Sequence, residues 1–296
     1  MVPKFIMLVG VPGSGKTTKA KELAKEYNAE VLSSDAYRVK LCGNESDQSK
    51  NNEVFKLLYA DLKKLLEAGQ SCILDATNIS FKSRARTLEY FSKVKCERIA
   101  YVINTPIEQC IRQDSNRERV VGESVLQSYF ARFDCPQYFE GFDQILFANN
   151  FTFSRQEYEQ AVMQMHAFDQ KNPHHKYSLG MHNFLVGTKF TDDVRCEAGY
   201  VHDIGKLYTQ TFDSDNVAHY YGHANYGTYV LISSQLLDPN TEDILDLLFY
   251  VNEHMHIRGI LQSEKAIIKY KNLWGEDKFN KLVEFMEVDN KASGIS

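Results

Sequence analysis

From Gly10 to Thr17 the chain reads Gly-Val-Pro-Gly-Ser-Gly-Lys-Thr, which fits the pattern GxxxxGK[ST]. These residue types at this spacing hold the phosphates of a nucleotide. Gly10, Gly13 and Gly15, with Pro12 and Ser14 between them, let the backbone wrap an anion with its N–H groups. The helix expected to follow adds the positive end of its dipole. Lys16 can reach the β- and γ-phosphates, the Thr17 hydroxyl can ligate Mg²⁺, and Thr18 completes the nucleotide contacts. The expected cofactors are ATP or another NTP, with Mg²⁺.

Further residues point to transfer of the bound phosphate. Ser34-Asp35-Ala36-Tyr37-Arg38 follows a short apolar stretch. A carboxylate there can accept the proton of an attacking hydroxyl, and Arg38, a turn later, can clamp a phosphate of the acceptor. Ile73-Leu74-Asp75 runs into Ala76-Thr77-Asn78. Asp75 is expected near Mg²⁺, and Thr77 and Asn78 on the acceptor. Arg112, Arg117 and Arg119 form a polar segment suited to a lid that neutralises charge on the transferred group.

The histidines crowd into the second half, in company with acids. Val201-His202-Asp203-Ile204-Gly205-Lys206 sets a His beside an Asp. Adjacent residues of this kind can ligate one metal if a helix presents them at the edge of a cavity. Around them lie His174-His175 and His182, then Tyr221-Gly222-His223, Glu253-His254, and Val288-Asp289-Asn290.

The elements that must position these groups come in two styles. Up to residue 150, short apolar strands alternate with amphipathic helices, the signature of a parallel α/β sheet. Strands are expected at 4–9, 30–33, 71–75, 98–104 and 145–148, and helices at 16–27, 52–68, 80–94 and 107–115. After Asn149-Asn150 the pattern turns helical, starting from a capping box of Ser154 and Glu157. Two domains are expected, 1–150 and 151–296.

Composition sets limits. At 296 residues, 43% hydrophobic and 25% charged, the chain has the make-up of ordinary globular domains. A net charge of −5 argues against a protein that coats nucleic acid. The first 150 residues hold 21 Lys/Arg against 19 Asp/Glu, and the remainder 13 against 20. The six cysteines are scattered with no CxxC pair, as expected of free thiols in a reducing compartment. No apolar run suggests a membrane span or a secretory signal, so a cytoplasmic location is expected.

The first half resembles the 5′-polynucleotide kinase family, including its phage type, through GVPGSGKT, SDAYR, ILDATN and the arginine segment, over about residues 3–150. The resemblance implies that Asp35 activates a 5′-hydroxyl, that Arg38 contacts the phosphate of the terminal nucleotide, and that Arg117 or Arg119 is the lid arginine. Ala36 departs from the family, where a second acid is frequent. The second half, about residues 172–290, resembles the HD phosphohydrolase superfamily, and in particular the HD domains of tRNA nucleotidyltransferases. Together the two likenesses imply an α/β P-loop NTPase domain followed by an all-α HD domain. The second also implies a metal held by His182, His202, Asp203 and Asp289, with His223 and His254 on a second metal or on the scissile phosphate.

Several divalent ions suit such ligands: Ni²⁺, Mn²⁺, Co²⁺, Zn²⁺ or Mg²⁺. The chemistry would be attack of metal-activated water on phosphorus, with Lys206 or a histidine assisting the phosphate. Both resemblances together imply healing of nucleic-acid ends, whether of RNA such as cleaved tRNA or of DNA, with a separate ligase as functional partner and no membrane. The alternatives are a nucleoside or metabolite kinase fused to a nucleotidase, and a regulatory module with one head inactive.

Overall fold

The computed structural model describes residues 2–238 and 243–294. The chain divides into two compact units, one of residues 1–129 and 136–149, the other of residues 130–135 and 150–296.

The first unit is built on five strands: β1 (Lys4–Val9), β2 (Glu30–Ser33), β3 (Cys72–Asp75), β4 (Glu97–Val102) and β5 (Gln144–Phe147). They form one sheet in the order β2-β3-β1-β4-β5. Every pairing is parallel, with Ile6 opposite Ile73 on one side and Ile99 on the other. Phe5, Ile6, Met7, Leu8 and Val9 are all fully buried. A continuous apolar run of this kind belongs to a parallel strand covered on both faces.

The crossovers are helical: α1 (Lys16–Tyr27), α2 (Ser34–Cys42), α3 (Asn51–Glu67), α4 (Phe81–Tyr90), α5 (Ile107–Ser115) and α6 (Glu123–Phe130). Helix α3 buries Val54, Leu58, Leu62 and Leu66, one row at four-residue spacing. Helix α4 starts after the Ser80 cap, whose side chain accepts from the Ser83 amide. It ends at Tyr90, short of the expected 94, because Phe91 turns into the core and packs edge-on against Phe5, 4.6 Å between ring centres. Helices α2 and α6 were not expected from the sequence.

The second unit is mainly helical: α7 (Arg155–Ala167), α8 (Leu179–Gly187), α9 (Asp193–Val201), α10 (Lys206–Thr209), α11 (His223–Ser233), α12 (Ile244–Glu253), α13 (His256–Ile260), α14 (Glu264–Trp274) and α15 (Glu276–Ala292). It also carries a short antiparallel ribbon, β6 (Thr211–Phe212) with β7 (Ala218–His219), where only helix was expected. At two residues each, these strands are too short to leave a periodic signal.

Ser154 caps α7 by accepting from the Glu157 amide. Residues 130–135 join this unit because Phe130 and Phe133 pack their rings on Tyr229, and Asn225 donates to the Phe133 carbonyl and to Asp134. Two glycine contacts draw the helices together. A Cβ on Gly199 of α9 would lie 2.6 Å from Gly187 Cα of α8, and one on Gly205 would lie 2.0 Å from the His223 carbonyl oxygen at the start of α11. Without side chains at these crossings, α8, α9 and α11 approach closely enough for His182, His202, Asp203 and His223 to meet.

Candidate functional site

The first unit opens a cleft of about 680 Å³ at the C-terminal ends of its strands, where open parallel sheets bind ligands. The loop from β1 to α1 forms its floor. Gly13 and Gly15 sit at φ 75° and 89°, in the left-handed region that glycine enters without strain. A Cβ on Gly13 would stand 2.4 Å from the Cys110 carbonyl oxygen. Lys16 donates to the Val11 carbonyl at 2.7 Å across the loop. Burial lowers the Lys16 ammonium to about 8, opposed in part by the Asp75 charge. Thr17 Oγ1 donates to Asp75 Oδ2 at 2.9 Å, tying the loop to the end of β3. Burial raises the Asp75 carboxyl, and the Thr17 bond opposes it.

Helix α2 brings Asp35 and Arg38 to the same cleft. Arg38 Nη1 lies 2.5 Å from Asp35 Oδ1, and Nη2 donates to Asn51 Oδ1 at 3.1 Å. Thr77, Arg117 and Arg119 complete the wall together with Pro12, Gly13, Gly15 and Thr18. Arg117 is close enough for its charge to act on Lys16, whereas Arg119 pairs with Glu45 at 3.6 Å.

Four expected residues fall outside the lining, Arg112 among them, exposed on α5. Gly10 donates its amide to the Thr77 carbonyl at 2.9 Å, and Ser14 is buried. Asn78, expected on the acceptor, is buried. It is 5% exposed, its backbone is left-handed at φ 46°, and its amide donates to the Leu8 carbonyl at 2.8 Å. It braces β1 against the turn after β3.

Two buried groups behind the cleft carried no sequence signal. Asp114 takes the amides of Val121 and Gly122 at 3.1 and 3.0 Å and so anchors the arginine segment. Arg84 makes two 2.7 Å bonds to Glu140 and donates to the Asn78 carbonyl.

In the second unit six residues from five places in the chain meet in the interior: His182 on α8, His202 and Asp203 after α9, His223 opening α11, His254 closing α12, and Asp289 on α15. All are buried. Three of the imidazoles are anchored alike. Nδ1 of His202, His223 and His254 faces the carbonyls of Gly199, Tyr220 and Val251 at 2.9, 2.7 and 2.8 Å. A carbonyl only accepts, so Nδ1 carries a proton and Nε2 faces inward, the orientation of a metal-ligating histidine.

Asp203 stands at the centre. Its Oδ1 lies 3.0 Å from His223 Nε2 and 3.5 Å from His254 Nε2, and its Oδ2 lies 3.5 and 3.4 Å from Nε2 of His182 and His202. Asp289 Oδ1 is 3.0 Å from His182 Nε2, while its Oδ2 accepts from Arg258 at 2.7 Å. Lys206 Nζ contacts Asp203 Oδ2 at 2.6 Å, donates to Gln170 Oε1 at 2.9 Å and lies 3.5 Å from His175 Nε2.

A cation fits this arrangement. His182–His202–Asp203 and Asp203–His223–His254 are two sets of ligand atoms, each set within 4.8 Å. The Nε2 atoms of His223 and His254 face each other at 3.1 Å, although both rings spend their protons on carbonyls. The buried nitrogens His182 Nε2 and His202 Nε2 have no hydrogen-bond partner. Burial disfavours the charged form of His202, yet Asp203 and Asp289 raise it to about 10. Burial lowers His254 to about 4. Asp203 is held well below the usual carboxylate range, against its burial, by Lys206 and His202.

Gln170 and Arg258 join the site without having been singled out, since neither belongs to a spaced motif, and His175, noted beside His174, reaches it through Lys206. His219 and His256 stand apart, paired with Asp213 and Glu253.

The loop, the parallel sheet and the Thr17–Asp75 bond make the first unit a P-loop domain of kinase-like fold. Residues 5–136 match the protein family described as AAA domain. Among solved structures, the chain is similar to one chain each of a Pnkp1/Rnl/Hen1 complex and of the Pnkp1/Rnl/Hen1 RNA repair complex, at 27% and 26% identity. The matches cover 38% and 45% of this chain and 38% and 47% of those chains, with TM-scores of 0.35 and 0.38. This chain therefore spans less than half the length of either. It is also similar to the Mycobacterium tuberculosis APS kinase CysC in complex with AMPPNP and APS, at 18% identity over 55% of this chain and 96% of that one, TM-score 0.38. Among the described residues no helix is long and apolar enough to cross a membrane.

Proposed function

We propose that the chain is a nucleic-acid end-healing enzyme with two heads, a 5′-hydroxyl kinase in the first unit and an HD-type phosphohydrolase in the second. The observation that carries the reading is that one chain holds two separately built clusters suited to phosphoryl chemistry, the loop-and-arginine cleft around Lys16 and the imidazole–carboxylate cage around Asp203.

In the kinase, the loop amides and Lys16 hold the donor triphosphate, and Thr17 with Asp75 would hold Mg²⁺. When bound, that ion neutralises charge between the β- and γ-phosphates. Asp35 takes the proton of the 5′-hydroxyl as its oxygen bonds to the γ-phosphorus; the bond to the β–γ bridging oxygen breaks and the nucleoside diphosphate leaves. Arg38 releases Asp35 to hold the acceptor phosphate, and Arg117 faces the charge developing on the transferred group.

In the second head His182, His202, Asp203 and Asp289 would hold one divalent ion, and His223 and His254, with Asp203 between, a second. Bound there, such ions supply Lewis acidity for the attack of water on phosphorus. Lys206 neutralises a phosphate oxygen, and Gln170 fixes the direction of its ammonium. The substrates are 3′-phosphate, 2′-phosphate or 2′,3′-cyclic phosphate ends of RNA or DNA. With the kinase reaction, their removal produces ends for a separate ligase.

The test is to incubate the protein with RNA bearing a 5′-hydroxyl and a 2′,3′-cyclic phosphate, with ATP and a divalent metal, and to compare it with free nucleosides. Phosphate gained at the 5′ end and lost at the 3′ end of the RNA supports the proposal. Activity on nucleosides alone replaces it with small-molecule metabolism.

A further inference from the structure

Tyr221 is 76% exposed, more than any other large apolar side chain among the described residues, and in the chain it directly follows Tyr220, which touches the cage. Its ring lies parallel to the His219 imidazole, 5.5 Å between centres and 5° between planes. His219 cannot swing away easily. Its Nε2 meets Asp213 Oδ2 at 2.9 Å, and Asp213 Oδ1 in turn accepts from the amides of Val217 and Asp215 at 2.9 and 3.0 Å. The ribbon is thus a rigid mount holding one aromatic face against a second, with most of the outer ring in water.

The preceding residue belongs to the wall of the cage. The Tyr220 carbonyl anchors His223 Nδ1, its hydroxyl donates to the Gln170 carbonyl, and its ring lies 5.4 Å from Lys206 Nζ. Gly222, at φ 74°, then turns the chain so that His223 opens α11. Tyr221 Cα is therefore about 3.8 Å along the chain from a residue that touches the histidine and the lysine of the cage.

We propose that Tyr221, backed by His219, is a stacking platform for a nucleobase, that of the nucleotide whose phosphate enters the cage. This rests on the phosphohydrolase reading of the same cage and adds the ligand's second anchor. Every base has a π-face, so such a platform takes any base and favours nucleotides over simple phosphate esters.

The experiment uses the full chain and two readouts. Tyr221→Ala is expected to raise KM for a 3′-phosphorylated oligonucleotide about tenfold, the scale of one lost stacking contact, with kcat nearly unchanged. Hydrolysis of p-nitrophenyl phosphate, which brings no nucleobase, stays as in the wild type, and Tyr221→Phe behaves as the wild type with both substrates. An unchanged KM for the oligonucleotide overturns the proposal, as does an equal loss on p-nitrophenyl phosphate, which would mark damage to the cage.

The second readout needs no turnover. Tyr221→Trp places an indole on the platform, and its fluorescence is compared with that of the wild type, whose one tryptophan is the buried Trp274. Adenosine 2′,3′-cyclic phosphate should quench the added emission and ribose 5-phosphate should not. If the protein hydrolyses neither substrate, the phosphohydrolase reading fails, and quenching alone decides the platform: equal response to both compounds, or none to either, overturns it.

Discussion

Lys16 is held by burial at about 8, well below the ordinary lysine value of 10.5. The phosphates of a bound nucleotide reverse that effect, because they favour the ammonium form. Nucleotide binding must therefore take up a proton wherever Lys16 is neutral in the free protein. With half-titration near pH 8, uptake should be roughly 0.1 proton at pH 7, about 0.5 at pH 8 and about 0.9 at pH 9. The sign follows directly: the free protein loses the charge first as pH rises, so affinity falls. Between pH 7 and pH 9 the nucleotide Kd should rise about tenfold, or about 1.4 kcal/mol. Calorimetric titration with a non-hydrolysable ATP analogue, in buffers of different ionisation heat, measures both quantities. Lys16→Met, which has no proton to exchange, should bind weakly and with a flat pH profile over this range. Proton release on binding, or a Kd constant from pH 7 to 9, would refute the assignment of Lys16 as a buried, partly neutral phosphate ligand.

Other outcomes follow from single contacts. Arg84→Ala strands the buried Glu140 carboxylate and should cost about 3–5 kcal/mol in urea unfolding, while Arg84→Met with Glu140→Leu together should recover most of it. Gly13→Ala forces a left-handed alanine whose Cβ lies 2.4 Å from the Cys110 carbonyl oxygen; it should lose nucleotide binding in the same calorimetric assay and unfold more easily by about 1–3 kcal/mol. Adding Mn²⁺ or Ni²⁺ at a hundred times its Kd should stabilise the second unit by about 2.7 kcal/mol in thermal denaturation, and Asp203→Asn should remove most of that shift. Because His202 is held protonated to about 10 in the ion-free cage, metal affinity should rise with pH across the neutral range; affinity that falls with pH would contradict the cage.

Much of the first unit is legible in the chain because its signals are local. The phosphate loop is a contiguous pattern, and β1 and β3 are apolar runs whose burial on both faces leaves one interpretation. Helix α1 begins and ends where its composition changes, at Lys16 and Tyr27. Helix α2 escaped notice because Ser34 is its one buried residue, so no apolar stripe marks it. The place of Asn78 is hidden for a related reason. A polar residue after a strand looks available to a ligand, but its amide is spent on a strand carbonyl seventy positions away.

In the second unit the histidines and aspartates, His175 among them, could be picked out by type, whereas Gln170 and Arg258 could not. Their roles arise only when α15 brings Asp289 to Arg258 and the turn after α9 brings Lys206 to Gln170. Asp114 is similar: one carboxylate among many until two amides of the arginine segment close on it.

The proposal of two independent phosphoryl activities is tested most directly by end-group analysis of one RNA, carrying a 5′-hydroxyl and a 2′,3′-cyclic phosphate, after treatment with Lys16→Ala or with Asp203→Ala protein. Lys16→Ala should leave the 5′ end unphosphorylated while the 3′ end is still opened and cleared, and Asp203→Ala should do the reverse. Loss of both activities in either variant, or persistence of the one each is meant to remove, would contradict two independent heads built on Lys16 and Asp203.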